Sequence, residues 1–298
     1  MTARVSATDL RAAGARTLAA VDIDSAAGDA GWLLAHVLKV EPGRLLLVDA
    51  VDEADRVRYA ELISRRAERV PLQHLTGEAS FAGIELAVGP GVFVPRPETE
   101  LLVEWAIGAA AATRPGPLRV VDLCSGSGAL AIAIAAAVPR AEVIAVELSA
   151  QALDYLRRNV AAQSEPVGRR IQVLAGDVTD PELWGRIGPA DLVVSNPPYV
   201  PAAAPVSPEV AHDPADAVFS GADGMDLISA MVPFIATALV PGGSVAVEHD
   251  DTTAEQSVTT FTDQGVFAEV ASRRDLAGRP RFVTATRAGG PGVQGWTA

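Results

Sequence analysis

The sequence predicts an α/β protein: a mainly parallel sheet with helices on both faces, preceded by a small helical domain and a β-hairpin linker. Three observations predict it. The longer, C-terminal part alternates short apolar runs with helical patterns, as repeated strand–helix–strand units do. A glycine-rich turn follows the first of these strands, where open parallel sheets bind ligands. The N-terminal part repeats apolar residues at three- and four-residue steps, without strand-like alternation.

Residues 1–76 are read as the helical domain. Leu34, Val37 and Leu38 share one helical face, as do Tyr59, Leu62 and Ile63. Asp24 or Ser25 can cap a helix, and Pro42–Gly43 reads as a break. Residues 77–96 are rich in Gly and Pro and partly alternating at Ile84, Leu86 and Val88, which suggests a β-hairpin linker. Residues 97–288 form the larger domain. It opens with a helix from Pro97 to Ala112, with Pro97 in the first turn and Glu98 and Glu100 near the positive end of its dipole.

A strand then runs from Leu118 to Leu123 and a helix from Ala129 to Val138. Glu142 to Leu148 is the next strand and Ala150 to Gln163 the next helix. Ile171 to Ala175 and Asp191 to Ser195 are further strands. A helix from Leu227 to Leu239 is ended by Pro241–Gly242–Gly243, and Ser244 to Glu248 is another strand. Two late runs, Phe267 to Ala271 and Arg281 to Thr286, can pair as a hairpin. Residues 289–298 read as a loose tail.

Composition narrows the function. Hydrophobic residues make up 49% and charged residues 20%, enough apolar material for a full core. The longest strongly apolar stretch, Ala129 to Val138, is about half of the ~20 residues a bilayer span needs, so no membrane is expected. Met1 to Leu10 is polar and charged where a secretory signal has an apolar core, which points to the cytoplasm. A single cysteine, Cys124, excludes an internal disulfide and any cysteine-built metal site. The histidines His36, His74, His212 and His249 form no close-spaced ligand pair, so no metal is expected. A net charge of −13 argues against nucleic acid as the main partner. The basic clusters Arg65, Arg66, Arg69 and Arg273, Arg274 read as solvated faces.

The first strand of the larger domain leads into Asp122-Leu123-Cys124-Ser125-Gly126-Ser127-Gly128. Closely spaced glycines at a strand-to-helix turn let the backbone pass close to a ligand. At the end of the second strand Glu147 can accept hydrogen bonds from ribose hydroxyls. Gly126, Gly128 and Ala131 also satisfy a dinucleotide pattern, so a nicotinamide-dependent oxidoreductase stays open. Asp122 separates the two. A carboxylate just before the loop suits the cationic amino and sulfonium groups of S-adenosylmethionine, whereas it repels a pyrophosphate. The pattern for a hydrolase nucleophile at Ser127 fails, because position 125 is Ser and not Gly.

The fourth strand ends in Ser195-Asn196-Pro197-Pro198-Tyr199. Ligands of open α/β sheets lie beyond the carboxyl ends of the strands, so Asn196 emerges beside the glycine loop. A planar amide or exocyclic amine is a weak nucleophile because its lone pair is delocalised. To be methylated, its NH₂ must be oriented by acceptors. The Asn196 side-chain oxygen can accept one N–H and the Pro197 carbonyl the other. The prolines hold the turn rigid, and Tyr199 offers an aromatic face to a flat group. Catalysis is then mainly alignment with electrostatic support.

Asn196-Pro197-Pro198-Tyr199 resembles the signature of amino-methyltransferases that act on adenine or on glutamine amides. Pro71 to Gly77, Phe93 to Glu100, Val247-Glu248-His249 and Arg274 to Arg279 resemble the PrmC/HemK family of release factor glutamine methyltransferases. The resemblance spans nearly the whole chain. It implies a class I methyltransferase, Rossmann-like fold with S-adenosylmethionine as cofactor. It implies that Cys124 to Gly128 cradle the methionine portion, Glu147 holds the ribose, and Asp177 and Val178 border the adenine. Asn196 to Tyr199 would hold the substrate amide, with Asn196, Pro197 and Tyr199 catalytic, and Arg96 and Thr99 would lie near the cofactor pocket. The implied partner is a peptide chain release factor, whose Gly-Gly-Gln glutamine is methylated at N5 and whose bulk is held by the helical domain. Family members often have Gly at Cys124 and an aromatic residue at Val178. The alternative is an N6-adenine nucleic-acid methyltransferase with the same Asn-Pro-Pro-Tyr chemistry.

Overall fold

The computed structural model describes residues 5–289; the expected loose tail lies outside them from residue 290 on. The chain forms two compact units. One is made of the described residues up to Glu78 together with Ser207–His212, the other of Ala79–Val206 and the described residues from Asp213 on.

The first unit packs α1 (Ala7–Ala19), α2 (Ala26–Leu38), a 3₁₀ turn (Pro42–Leu47), α3 (Glu53–Ala67) and the short α4 (Leu72–Thr76). Ser6 and Asp52 cap α1 and α3 by accepting the N–H of Asp9 and Asp55. Ser25 sits at the start of α2, but its hydroxyl donates to Asp29 and leaves the backbone uncapped. Leu18, Leu33, Leu34, Tyr59 and Ile63 form the core. Arg66 corrects the expectation of a solvated face. It lies three residues past Ile63, on the buried face of α3, and is 6% exposed. Its charge is tolerated there because Asp29 accepts from Nε at 2.7 Å and Glu209 accepts from the guanidinium at 3.2 Å.

The second unit opens with the hairpin β1 (Glu78–Phe81) and β2 (Ile84–Ala87), then a 3₁₀ turn (Pro97–Thr99) and α5 (Glu100–Ala112). β3 (Leu118–Leu123), α6 (Ala129–Ala137), β4 (Ala141–Glu147), α7 (Ala150–Ala162), α8 (Glu165–Gly168) and β5 (Ile171–Ala175) follow. After α9 (Pro181–Ile187) come β6 (Ala190–Ser195), α10 (Ala215–Val218), α11 (Asp226–Ala238) and β7 (Leu239–Glu248). The last elements are α12 (Ala254–Thr262), β8 (Phe267–Arg274) and β9 (Pro280–Arg287). No helix among the described residues is long and apolar enough to cross a membrane.

The larger sheet has the order β5-β4-β3-β6-β7-β9-β8; β3 to β7 run parallel, and β9 is antiparallel to both its neighbours. Side chains alternate across a strand, so β3 feeds two cores. Leu118 and Val120 join Leu102, Ala106, Ile132 and Ile134, while Val121 and Leu123 join Ile228, Ile235 and Phe261. Each fully buried Leu or Ile contributes roughly 1.5–3 kcal/mol, which makes these helix layers the main source of stability. The strands expected from the alternating pattern are all present, including the final hairpin, whereas helices α8, α9, α10 and α12 were not expected. Pro97–Thr99 is a 3₁₀ turn and not the first turn of the expected helix, and Pro241–Gly243 lies inside β7 and does not terminate α11. Ala190 pairs with Leu239 and Leu192 with Ser244, so these extra residues bulge, with Gly242 at φ +82°.

Candidate active site

The chain leaves β3 in opposite directions: β4 and β5 extend the sheet to one side, β6 and β7 to the other. This reversal opens a crevice beyond the carboxyl ends of β3 and β6. Leu123 is the register partner of both Val146 and Ser195. The residues that follow, Cys124 on β3, Glu147 on β4 and Asn196 on β6, therefore emerge side by side. The Ser195 hydroxyl ties the two central strands by donating to the Leu123 carbonyl at 2.9 Å.

The loop between β3 and α6 needs three left-handed residues, Cys124 (φ +57°), Gly126 (φ +56°) and Gly128 (φ +88°). At Gly128 a Cβ would meet Leu156 Cδ1 at 2.5 Å, so close packing as well as backbone angle demands glycine. Around Gly126 a Cβ would meet nothing within 4 Å, so the loop is open on that side. Cys124 accepts the left-handed conformation without being glycine. Burial, with Glu147 and Asp122 nearby, pushes its thiol up, and it is no nucleophile at neutral pH. Ser125 and Ser127 are buried.

Asp122 is wholly buried. One carboxyl oxygen accepts the Ala131 N–H at 3.1 Å, and the other, Oδ1, has no partner. Burial pushes this carboxyl up to about 7, against the Ala131 hydrogen bond and the nearby Ser125 hydroxyl, which donates to the Asp122 backbone carbonyl at 2.9 Å, and with the charge of Glu147 adding to the rise. A buried carboxylate with an unused oxygen beside an open glycine loop fits a cationic ligand. Glu147 is half-buried and accepts three backbone N–H groups: Gly126 at 2.7 Å, Leu148 at 2.9 Å and Ser149 at 2.8 Å. A carboxylate has about four acceptor sites, so room is left for one further donor. Asp177 is half-buried and accepts from Thr179 N and Oγ1, while Val178 is buried in a cluster with Leu174, Leu183 and Trp184.

Asn196 is half-buried, Pro197 buried, Pro198 and Tyr199 half-buried. The Asn196 amide donates to Thr99 Oγ1 at 3.1 Å, which leaves its oxygen free to accept. The Tyr199 hydroxyl donates to Glu248 Oε1 at 2.8 Å. Glu248 ends β7, the neighbour of β6, and is 1% exposed. Burial pushes its carboxyl up to about 7, opposed by hydrogen bonds from Tyr199 and Thr99 and by the Arg281 guanidinium. Arg281 is itself held by Asp275 at 3.1 Å, and Arg96 by Asp213 at 2.6 Å. The expected Asn196 and glycine-loop residues thus stand side by side at the carboxyl ends of β6 and β3. Glu248 and Arg281 had no role in the sequence reading. For Glu248 the signals were its place in the Val247-Glu248-His249 resemblance and an acid closing the apolar strand Ser244–Glu248, as Glu147 closes its own.

Family models match two stretches: the PrmC N-terminal domain over residues 9–77 and the methyltransferase small domain over residues 99–213. The release factor glutamine methyltransferase of Mycolicibacterium smegmatis is 51% identical over 277 residues, 92% of this chain and 95% of that one. The chain belongs to the release factor glutamine methyltransferase family. It is a methyltransferase. The family's Deinococcus radiodurans member is 41% identical and aligns over 95% of this chain and 99% of its own length. A more distant relative is the 4-amino-L-phenylalanine/4-methylamino-L-phenylalanine methyltransferase of Streptomyces pristinaespiralis, 38% identical over 88% of each chain. Among solved structures, the hMettl16 catalytic domain, in complex with MAT2A 3′UTR hairpin 6, has a TM-score of 0.54 at 13% identity. It covers 78% of this chain and 84% of its own and shares the fold.

Proposed function

We propose that the chain transfers a methyl group from S-adenosylmethionine to N5 of the glutamine in the Gly-Gly-Gln motif of peptide chain release factors. The observation that carries this reading is the placing of Asn196. It stands beside the glycine loop through the Leu123–Ser195 pairing, with its amide turned by Thr99 so that the oxygen is free. The names of relatives 41–51% identical over nearly the whole chain support the substrate.

In this reading Asp122, Cys124, Ser125, Gly126, Ser127 and Gly128 hold the amino-acid end of the cofactor, Glu147 its ribose, and Asp177 and Val178 the edge of its base. The cofactor supplies an electrophilic methyl on a cationic sulfur. The unpartnered Oδ1 of buried Asp122 suits that charge. Asn196 Oδ1 and the Pro197 carbonyl each accept one N–H of the substrate amide and so aim its lone pair. Tyr199, its hydroxyl pinned by Glu248, keeps its ring in one place against which the flat amide packs. No side chain here is poised as a strong base, and the rate comes from alignment and preorganised acceptors. Residues 1–76 would hold the body of the release factor, with residues 77–96 as linker. The enzyme would act in the cytoplasm on a protein, without nucleic acid, membrane or metal.

The test is incubation of the full chain with radiolabelled S-adenosylmethionine and, in parallel, a release factor, adenine-containing nucleic acid or 4-amino-L-phenylalanine. Label is expected in the release factor glutamine. Label confined to nucleic acid or to the arylamine would overturn the reading. Asn196→Ala is expected to lower transfer at least about 100-fold, the scale of losing one preorganised polar group. Calorimetric affinity for the cofactor should stay near that of the parent chain.

A further inference from the structure

We propose that Leu276, at the tip of the β8–β9 hairpin, is a docking residue for the protein substrate and meets an apolar side chain a few residues along the release factor from the methylated glutamine. The proposal deepens the amide-transfer reading above and rests on it.

The hairpin stands where such a contact is needed. β9 runs antiparallel to β7 with Phe282 opposite Glu248, and the pairing continues past the end of β7, where the His249 N–H donates to the Arg281 carbonyl at 3.0 Å. On its other side β9 pairs with β8 as far as Arg274 opposite Pro280. The connecting residues 275–279 therefore project beyond the carboxyl ends of the parallel strands, the end from which the glycine loop and Asn196 also emerge. β9 lies two strand spacings from β6, and β8 three. At ~4.8 Å each this is roughly 10–14 Å across the sheet, which an extended substrate chain covers in about three or four residues.

The turn holds its tip still. Asp275 Oδ1 accepts the Ala277 and Arg279 N–H groups, both at 2.9 Å, and Oδ2 accepts from the Arg281 guanidinium at 3.1 Å. The Asp275 N–H donates to the Arg279 carbonyl at 2.8 Å, the Gly278 N–H to the Asp275 carbonyl at 2.9 Å, and the Arg274 guanidinium to the Gly278 carbonyl at 2.6 Å. None of these bonds uses the side chain at position 276. A polar residue would serve the turn equally well there, yet a leucine stands 97% exposed, more than any other large apolar side chain among the described residues. Singly exposed leucines are ordinary on protein surfaces, but one fixed on a braced turn cannot fold back to cover itself. It is an apolar group already in place, so binding gains its burial at little cost in ordering.

The brace also reaches the site. Asp275 holds Arg281, whose carbonyl takes the N–H of His249, and the preceding Glu248 receives the Tyr199 hydroxyl. A substrate seated on the tip is thereby kept at a fixed spacing from Tyr199. The neighbours of Leu276 on the turn, Ala277, Gly278 and Arg279, are exposed and offer little apolar area. That falls far short of the roughly 1,200 Å² of a stable dimer interface, but it suits an anchor for a chain already gripped at its glutamine.

The experiment measures kcat, both KM values and Tm for the parent chain, Leu276→Ser and Leu276→Met, with a release factor as substrate. Leu276→Ser should raise the release factor KM about 10-fold, and Leu276→Met, which keeps the apolar volume, should stay within about twofold of the parent. In both variants kcat, cofactor KM and Tm should match the parent, whereas a residue needed only by the turn would move Tm or nothing. In addition, Leu276→Cys carrying a thiol-linked benzophenone should cross-link to the release factor within about five residues of the glutamine. The Cys124 thiol, pushed up by burial, does not compete for the label. A parental release factor KM in Leu276→Ser, or cross-links confined to distant parts of the release factor, would overturn the proposal and leave the amide-transfer reading standing. So would a parent chain that dimerises on a sizing column while Leu276→Ser does not, which would give the tip to a second copy. If the parent chain labels no release factor at all, the amide-transfer reading itself has failed, and the role given to Leu276 goes with it.

Discussion

Gly224 carries no chemistry, yet the turn that bears Asn196 depends on what it lacks. Its φ is +85°, and a Cβ there would lie 2.2 Å from the Tyr199 carbonyl oxygen and 3.3 Å from Pro201 Cδ. The nearest atom is backbone, so a larger residue must push the Asn-Pro-Pro-Tyr turn itself. Gly224→Ala should cost about 1–2 kcal/mol from the left-handed angle alone. It should also lower kcat more than cofactor affinity, which kinetics and calorimetry would separate; an unchanged kcat would show that the turn absorbs the push. Such a residue is not legible in sequence, where Gly224 is one loop glycine among several. Asn196 to Tyr199 were legible because their chemistry is local to four adjacent residues. Thr99 was placed near the pocket by resemblance, but its bond to Asn196 joins residues far apart in the chain, which no local pattern reports.

Between elements, Asn159 on α7 does the work of a clasp. It is 2% exposed, accepts the Ala87 N–H at 2.7 Å, and donates to the Ala87 and Ser127 carbonyls at 3.0 and 2.9 Å. It thereby joins the end of β2 to the glycine loop. Asn159→Ala leaves a buried donor and two acceptors short of partners, which should cost about 2–3 kcal/mol in urea unfolding. Cofactor affinity should fall with it, since Ser127 loses its anchor; a stable variant with intact affinity would refute the clasp. The elements it joins were mostly legible. β3, β5 and α6 fall within a residue of their predicted bounds because short apolar runs bounded by glycine, proline and polar residues mark buried elements in the sequence. The bulge in β7 was not, because Pro-Gly-Gly favours a break equally well at a helix end or inside a strand. Arg66 was misread for a related reason: the partners that allow it to be buried, Asp29 and Glu209, lie on other segments.

For the molecule as a whole, two buried acids at the carboxyl ends of the strands should make the folded state less stable at neutral pH than in mild acid. Asp122 and Glu248 rise from 3.8 and 4.5 to about 7. The folded chain therefore holds two protons that the unfolded chain releases between about pH 4 and about pH 7, and stability falls as pH climbs through that window. At 1.36 kcal/mol per pKa unit the cost is on the order of a few kcal/mol for each buried acid. Glu209, Asp223 and Asp275 are lowered; their contribution is complete above their unfolded values and is lost only as pH falls through their folded ones. His249, lowered by burial, works the other way inside the window: its unfolded form keeps a proton up to about 6.5, so its contribution rises with pH until then. The two acids are isolated by a comparison of the parent chain with the double variant Asp122→Asn, Glu248→Gln. Both substitutions mimic the protonated forms, so Tm should nearly match the parent at about pH 5 and exceed it by several degrees at about pH 8. A Tm difference independent of pH would mean that the acids are already charged in the folded chain at pH 5. Their burial would then have been relieved by solvent or by partners, and Asp122 would not be a desolvated acid whose free Oδ1 awaits a cation.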